Sequence, residues 1–266
     1  MLTFLAYLSP LLSRCPVSLR GPLLANTRTV EPGSRVSVDD VLDLLRKEYG
    51  PFEWRPRYDP ASELVYTVLS QHTSDINSKR AYDNLMMVFG SLEAVARAAV
   101  EEIEEAIRTA GLFRVKAPRI KAMLIQVLEE IGSFDLSFLR EIPLDEAKTW
   151  LKRINGIGPK TAAIILCFSL GMPAMPVDTH IFRVARRLGF IGAKVTADQA
   201  HDILEPMVSP QDVYAFHLYL INHGRQVCKA LRPRCDECVL AWGCPSRSQF
   251  QQSGRVARPG RSSRTA

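Results

Sequence analysis

A chain of 266 residues is long enough for one large or two small domains with a true hydrophobic core. Its 47% hydrophobic content is that of an ordinary soluble protein. The net charge of +6 and a pI near 9.1 suit a polyanionic partner, and crowding four of six cysteines into one loop argues against a secreted disulfide scaffold and for a reducing compartment. The charge is uneven. Residues 1–36 carry +3 and residues 245–266 carry +5, which leaves the part between them at −2. Any anion-binding face in that part must come from clustering, as in Arg114, Lys116, Arg119 and Lys121, in Lys152, Arg153 and Lys160, or in Arg183, Arg186 and Arg187.

In chain order, residues 1–36 read as an extension, either disordered or a targeting segment. Its apolar start is too short to span a membrane and is broken by Pro10. Ser37-Val-Asp-Asp40 reads as a capped helix start, followed by Val41, Leu42, Leu44, Leu45 and Tyr49 on one face. Asp59-Pro60 opens a second helix that runs to about His72. Periodicity predicts further helices over about 75–89, 92–98, 101–109, 114–131, 145–154, 159–170, 179–188, 197–205 and 210–223. Asp145 is expected to cap the helix it opens, and Gly224 to stop the last one. No stretch alternates as a strand does. The tail from 246 to 266 is polar and basic and reads as disordered.

Three segments carry chemistry. Asn155-Gly-Ile-Gly158 links two helices as a hairpin, with Pro159 at the first turn of the second helix, a position proline favours. The free N–H groups of that turn favour an anion, and a DNA phosphate fits there without its sequence being read. Lys160, in the same turn, supplies an amine of the kind that forms Schiff bases. Asp178, in Val-Asp-Thr-His, is placed to start the next helix, where a carboxylate serves as a cap or as a reactive group. Near the C-terminus, Cys228, Cys235, Cys238 and Cys244 can close around one metal centre, zinc or an iron–sulfur cluster. The wide outer gaps fit the bulkier cluster better.

The cysteine spacing resembles the iron–sulfur loop of the endonuclease III family of DNA glycosylases. The pairing of Gly-Ile-Gly-Pro-Lys-Thr-Ala (156–162) with Val-Asp-Thr-His (177–180) resembles the wider HhH-GPD superfamily. Leu69-Ser-Gln71-His-Thr-Ser-Asp75 and Gly111-Leu112-Phe-Arg-Val-Lys-Ala117 resemble that family's two loops that enter the duplex. Together the resemblances cover about Ser37 to Cys244. They imply an all-α, two-domain HhH-GPD fold. A six-helix barrel at 60–170 would contain the helix-hairpin-helix at 145–170, and an iron–sulfur domain would combine 37–59 with 171–245. The implied partner is double-stranded DNA containing damaged bases or abasic sites, bound by a monomer with no membrane involved.

The implied activity is base-excision repair of oxidised pyrimidines with an associated AP lyase. Lys160 attacks C1′ and Asp178 assists. Gln71 fills the gap left by a flipped nucleotide and Leu112 acts as the wedge. Gly156, Ile157, Gly158 and Thr161 hold phosphate, and the four cysteines bind one [4Fe–4S] cluster. The alternatives are a mismatch (thymine or uracil) glycosylase, an adenine glycosylase, or a non-catalytic iron–sulfur DNA-binding module. Thr67 stands where the adenine branch carries its glutamate, and Lys160 where thymine glycosylases commonly carry tyrosine, so both favour the endonuclease III branch. The expected location is the cytoplasm or nucleoid of a bacterium or archaeon, or the nucleus or mitochondrion of a eukaryote.

Overall fold

The computed structural model describes residues 34–253. Residues 1–33 of the expected extension and residues 254–266 of the expected basic tail lie outside them. Among the described residues the protein is all helical, with no β-strand, and no helix is long and apolar enough to cross a membrane.

Helix α1 (Val38–Tyr49) starts in the expected capping box: the Ser37 hydroxyl accepts from the Asp40 N–H at 3.1 Å, and the Asp40 carboxylate accepts from the Ser37 N–H at 3.0 Å. In α2 (Pro60–Ser70), Asp59 caps the Ser62 N–H at 2.9 Å and proline occupies the first position. Every α2 residue from Pro60 to Leu69 is buried, so this helix runs through the middle of the fold. Around it lie α3 (Asp75–Phe89), α4 (Leu92–Arg97), α5 (Val100–Ala106), α6 (Phe113–Ile131), α7 (Leu144–Arg153) and α8 (Pro159–Ile164). Leu64 and Leu69 of α2, Leu85 of α3, Ile103 of α5, and Ile120 and Leu124 of α6 share one core.

A second core is built from Val41 and Leu45 of α1 and from α9 (Thr179–Leu188), α10 (Ala197–Leu204) and α11 (Val213–Gln226). Among the described residues the first helix meets a late one: α1 packs on α11, and the Phe52 ring just after α1 lies 5.0 Å from that of Tyr219. Full burial of Phe216 or Leu45 contributes about 1.5–3 kcal/mol each.

Four local expectations change. The helix read over 159–170 is α-helical only to Ile164 and then winds into a π-helical turn, Ile165–Ser169. The wider turn lets Ile165 and Leu166 face the first core while Cys167 and Phe168 reach the second. Asp145 caps nothing: α7 begins at Leu144 after Pro143, and Asp145 lies in its first turn. Gly224 does not stop α11. It lies inside the helix because a Cβ there would sit 3.0 Å from the Cβ of His180, so glycine allows α9 and α11 to approach closely. Finally, residues 247–253 of the tail expected to be disordered form α12 (Arg247–Ser253), anchored where the Phe250 ring lies 4.4 Å from the Arg187 guanidinium.

Candidate active site at the seam of two cores

Lys160 is exposed on the first turn of α8. Asp178 is the N-cap of α9, with one carboxylate oxygen accepting from the Ile181 N–H at 2.8 Å. The two residues lie on either side of the passage from the first core to the second. Neither belongs to an ion pair of 4.0 Å or less among the described residues. Both charges act on the buried His217 of α11. The His217 Nδ1 lies 2.9 Å from the Pro176 carbonyl. A carbonyl only accepts, so Nδ1 carries the proton and Nε2 is left as an acceptor. Desolvation lowers the pKa of His217, which stays neutral inside the protein.

The irregular segment leading to Asp178 is tied down at several points. The His201 Nδ1–H donates to the Met175 carbonyl at 2.7 Å, and Glu205 accepts from the Met175 N–H at 3.0 Å. Glu205 also pairs with Lys148 of α7 at 2.5 Å, which links the Asp178 approach to the first helix of the hairpin. Pro176 and Val177 are buried. Asp178 therefore sits on a braced segment rather than a free loop. His201, Glu205 and Lys148 belong to no motif, so the sequence offered no signal for them.

The hairpin itself is compact. Gly156 has φ +86, a left-handed backbone that favours glycine, while the Arg119 Nη2 that a Cβ would meet at 3.0 Å is the end of a flexible side chain that can shift. Gly158 differs: its backbone is extended and the space around it is open, and it serves as the N-cap of α8. Ile157 and Thr161 are buried. Thr161 therefore presents its backbone at the helix start and not an exposed hydroxyl.

The two loops expected to enter DNA lie side by side. His72 and Leu112 are the only non-glycine residues with positive φ among the described residues, at 54° and 48°. Both are exposed, Leu112 by 57%. Gln71 is half-buried, and its Oε1 accepts from Arg119 at 3.0 Å. Gln71 is therefore engaged with the hairpin side, whereas the neighbouring His72 is the exposed side chain of its loop. The basic run around it is not one solvated face. Lys116 is buried, donating to the Leu69 and Ala110 carbonyls and the Thr73 hydroxyl at 2.7, 2.9 and 2.7 Å. Lys121 donates to the Ala98 carbonyl at 2.6 Å.

A buried ion pair lies beside this seam. The Glu63 side chain is fully buried and is held by Arg57 through Nε at 2.9 Å and through Nη2. Burial pushes the Glu63 carboxyl upward against the pull of Arg57. Thr67 adds a bond to Glu63 at 3.4 Å. The pair leaves no mark in the sequence, because a single arginine before a helix start gives no periodic signal.

The four cysteines of the C-terminal loop line one cavity of about 30 Å³, with Arg187, His223 and Phe250 among its walls. Among the described residues no group converges as a ligand set for a single metal ion. Burial pushes the Cys238 thiol up to about 12 and raises Cys235 and Cys244 as well. A cationic centre that draws off these protons would relieve that cost, so the donor set fits a thiolate-bound cluster. The surroundings also suit thiolates. Arg187 Nη1 lies 3.3 Å from the Cys228 sulfur, and His223 Nε2 lies 3.5 Å from the Cys238 sulfur. Two arginines of α9 are engaged here and are not part of a free phosphate patch: Arg183 binds the Cys228 and Gly224 carbonyls, and Arg187 binds those of Lys229 and Ala230, whereas the exposed Arg186 bonds the Ala193 carbonyl instead.

Comparison with known proteins agrees with this geometry. A family model described as HhH-GPD superfamily base excision DNA repair protein matches residues 65–210. The Endonuclease III of Sulfolobus acidocaldarius is 35% identical over 183 residues, covering 68% of this chain and 79% of its own. That of Thermotoga maritima is 32% identical over 187 residues, covering 70% and 83%. Among solved structures, a trapped endonuclease III–DNA covalent intermediate matches with a TM-score of 0.69 at 25% identity, over 81% of this chain and 99% of that one.

Proposed function

This chain belongs to the HhH-GPD superfamily of base-excision DNA repair proteins, and from that premise we propose that it excises oxidised pyrimidines and then cuts the strand at the abasic site. It is a DNA glycosylase by family; the choice of base, the lyase step and the residue roles are our reading. The observation that carries the reading is the placement of Lys160 at the start of α8 and Asp178 at the start of α9, both acting on His217.

In this mechanism the Lys160 amine attacks C1′ of a nucleotide turned out of the duplex, and the bond to the base breaks. The free oxygen of Asp178 stabilises positive charge developing on the sugar and takes a proton from the new C1′ ammonium. The C1′–O4′ bond then breaks to leave a Lys160-linked Schiff base, with O4′ taking a proton, and loss of a C2′ proton to a base such as water drives out the 3′ phosphate as the C3′–O bond breaks. Leu112 and His72 occupy the opened duplex, and the hairpin at Gly156–Gly158 with Thr161 holds the backbone. Cys228, Cys235, Cys238 and Cys244 hold a [4Fe–4S] cluster that braces the loop carrying Lys229, Arg232 and Arg234. The protein acts as a monomer wherever its DNA lies: the nucleoid of a bacterium or archaeon, or the nucleus or mitochondrion of a eukaryote.

Borohydride trapping on duplexes that contain an abasic site or a 5-hydroxyuracil tests the reading. A covalent protein–DNA adduct formed by the wild type and absent from Lys160→Ala is expected. Base release without an adduct would make the enzyme a monofunctional glycosylase.

A further inference from the structure

Arg57 is held in a way that a purely structural ion pair does not require. Its Nε and Nη2 are fixed by the fully buried Glu63, while its own side chain is 38% exposed. No hydrogen bond occupies Nη1 among the described residues. The guanidinium lies 4.7 Å from the centroid of the Tyr66 ring and 5.2 Å from that of Phe168. Tyr66 belongs to the first core and Phe168 packs on the second, so Arg57 sits at the seam between them. The Phe168 ring meets the edge of His217 at 5.2 Å, and His217 in turn holds the Pro176 carbonyl two residues before Asp178. A short chain of contacts thus joins Arg57 to the candidate catalytic carboxylate.

A planar donor fixed between aromatic faces is a site for a flat heterocycle that carries a carbonyl. The cation also selects by charge. A base that leaves as an anion gains from it, and a base already cationic does not.

We propose that Arg57, held by Glu63, binds the flipped base and stabilises its departure as the N1 anion of a carbonyl-bearing pyrimidine. The inference rests on the glycosylase/lyase reading above and adds the residue that holds the departing base. As the Lys160 amine forms its bond to C1′, the C1′–N1 bond breaks and its electron pair goes to the base, where it spreads onto the adjacent carbonyl oxygen. Arg57 Nη1 donates to that oxygen. The proton released from the C1′ ammonium passes to Asp178 and then to the base at N1, so a neutral pyrimidine leaves.

Single-turnover excision is measured on duplexes containing 5-fluorouracil, 5-hydroxyuracil or 5,6-dihydrouracil, whose N1 acidities differ, alongside cleavage of an abasic duplex, which has no base to lose. The variants are Arg57→Lys and the neutral pair Arg57→Gln/Glu63→Gln, which avoids stranding a buried carboxylate. The loss on lesion duplexes should exceed the loss on the abasic duplex by about a hundredfold, the scale of removing one such donor. It should also grow as the N1 proton becomes less acidic. Equal losses on both kinds of duplex, or a loss independent of the base, would overturn the proposal. A wild type that traps abasic DNA but releases none of these bases overturns the role of Arg57 and leaves the lyase reading intact. A wild type that does neither overturns both.

Discussion

The Lys116 ammonium donates to the Thr73 hydroxyl at 2.7 Å and so joins the loop after α2 to the loop before α6. Thr73 also donates to the Ala110 carbonyl, which Lys116 binds from its other side. His72 and Leu112, the two exposed residues with left-handed backbones, are each one or two residues from this knot. The spacing of the two prongs is thereby set by one buried lysine. A single cation satisfying three acceptors explains why a charged group tolerates 2% exposure.

Replacing Lys116 with methionine should strand those acceptors, at a cost of about 1–3 kcal/mol, and weaken binding to abasic duplex more than to undamaged duplex. Burial lowers the Lys116 pKa from 10.5 to about 8. Between those values the unfolded chain holds the proton and the folded one has released it, so this group adds stability as pH rises from about 8 to 10.5. Thermal unfolding of wild type and Lys116→Met should therefore diverge in favour of wild type across that window. Parallel curves would show that Lys116 does not titrate there.

Asp178→Asn should fold normally, because asparagine caps a helix as well as aspartate and can still accept from the Ile181 N–H. Its turnover should nonetheless fall about 10²–10⁴-fold, since a neutral amide neither takes a proton nor stabilises a cation. Lys160→Ala should abolish trapping while retaining affinity for abasic DNA. Strand cleavage surviving in Lys160→Ala would assign the attack to another nucleophile.

Much of this was legible in the sequence for a physical reason. Caps, glycine turns and ligand spacing are local. Ser37 and Asp40, Asp59 with Pro60, and the four cysteines announce themselves within a few residues. The hairpin glycines and Asp178 at the start of α9 were readable in the same way. What was illegible is long-range. Lys116 looked like one of a run of surface charges until α2 and the Ala110 turn were found around it. Arg57 and Glu63 are ordinary residues until Phe168 arrives from beyond α8. Gly224 resembled a helix stop because a close helix crossing leaves no mark on local periodicity.

The cysteine loop yields a compositional test. Cys238→Ser should lower the iron content of anaerobically purified protein well below the four atoms per chain expected of one [4Fe–4S] cluster. It should also loosen Arg187, which is bonded to the Cys228, Lys229 and Ala230 carbonyls. Proteolysis between Val227 and Cys244 should then quicken, and duplex affinity should fall with it. Stoichiometric zinc in the wild type would replace the cluster reading with a zinc loop.

Acid should destabilise the protein through histidines that hold the Asp178 segment. Desolvation keeps both His201 and His217 below their ordinary value of 6.5, so the folded protein leaves them neutral while the unfolded chain protonates. As pH falls below about 6.5 the unfolded state therefore binds more protons, and stability declines by at most about 1.4 kcal/mol per pH unit for each group. His217→Asn tests the share of one of them. The asparagine amide can still donate toward the Pro176 carbonyl but does not titrate. Urea unfolding at pH 7.5, 6.0 and 5.0 should show the variant close to wild type at the highest pH and losing stability less steeply below it. A variant whose stability fell as steeply as that of wild type would mean that His217 is protonated in the fold as readily as out of it, and that the Pro176 carbonyl is held by something other than a neutral imidazole.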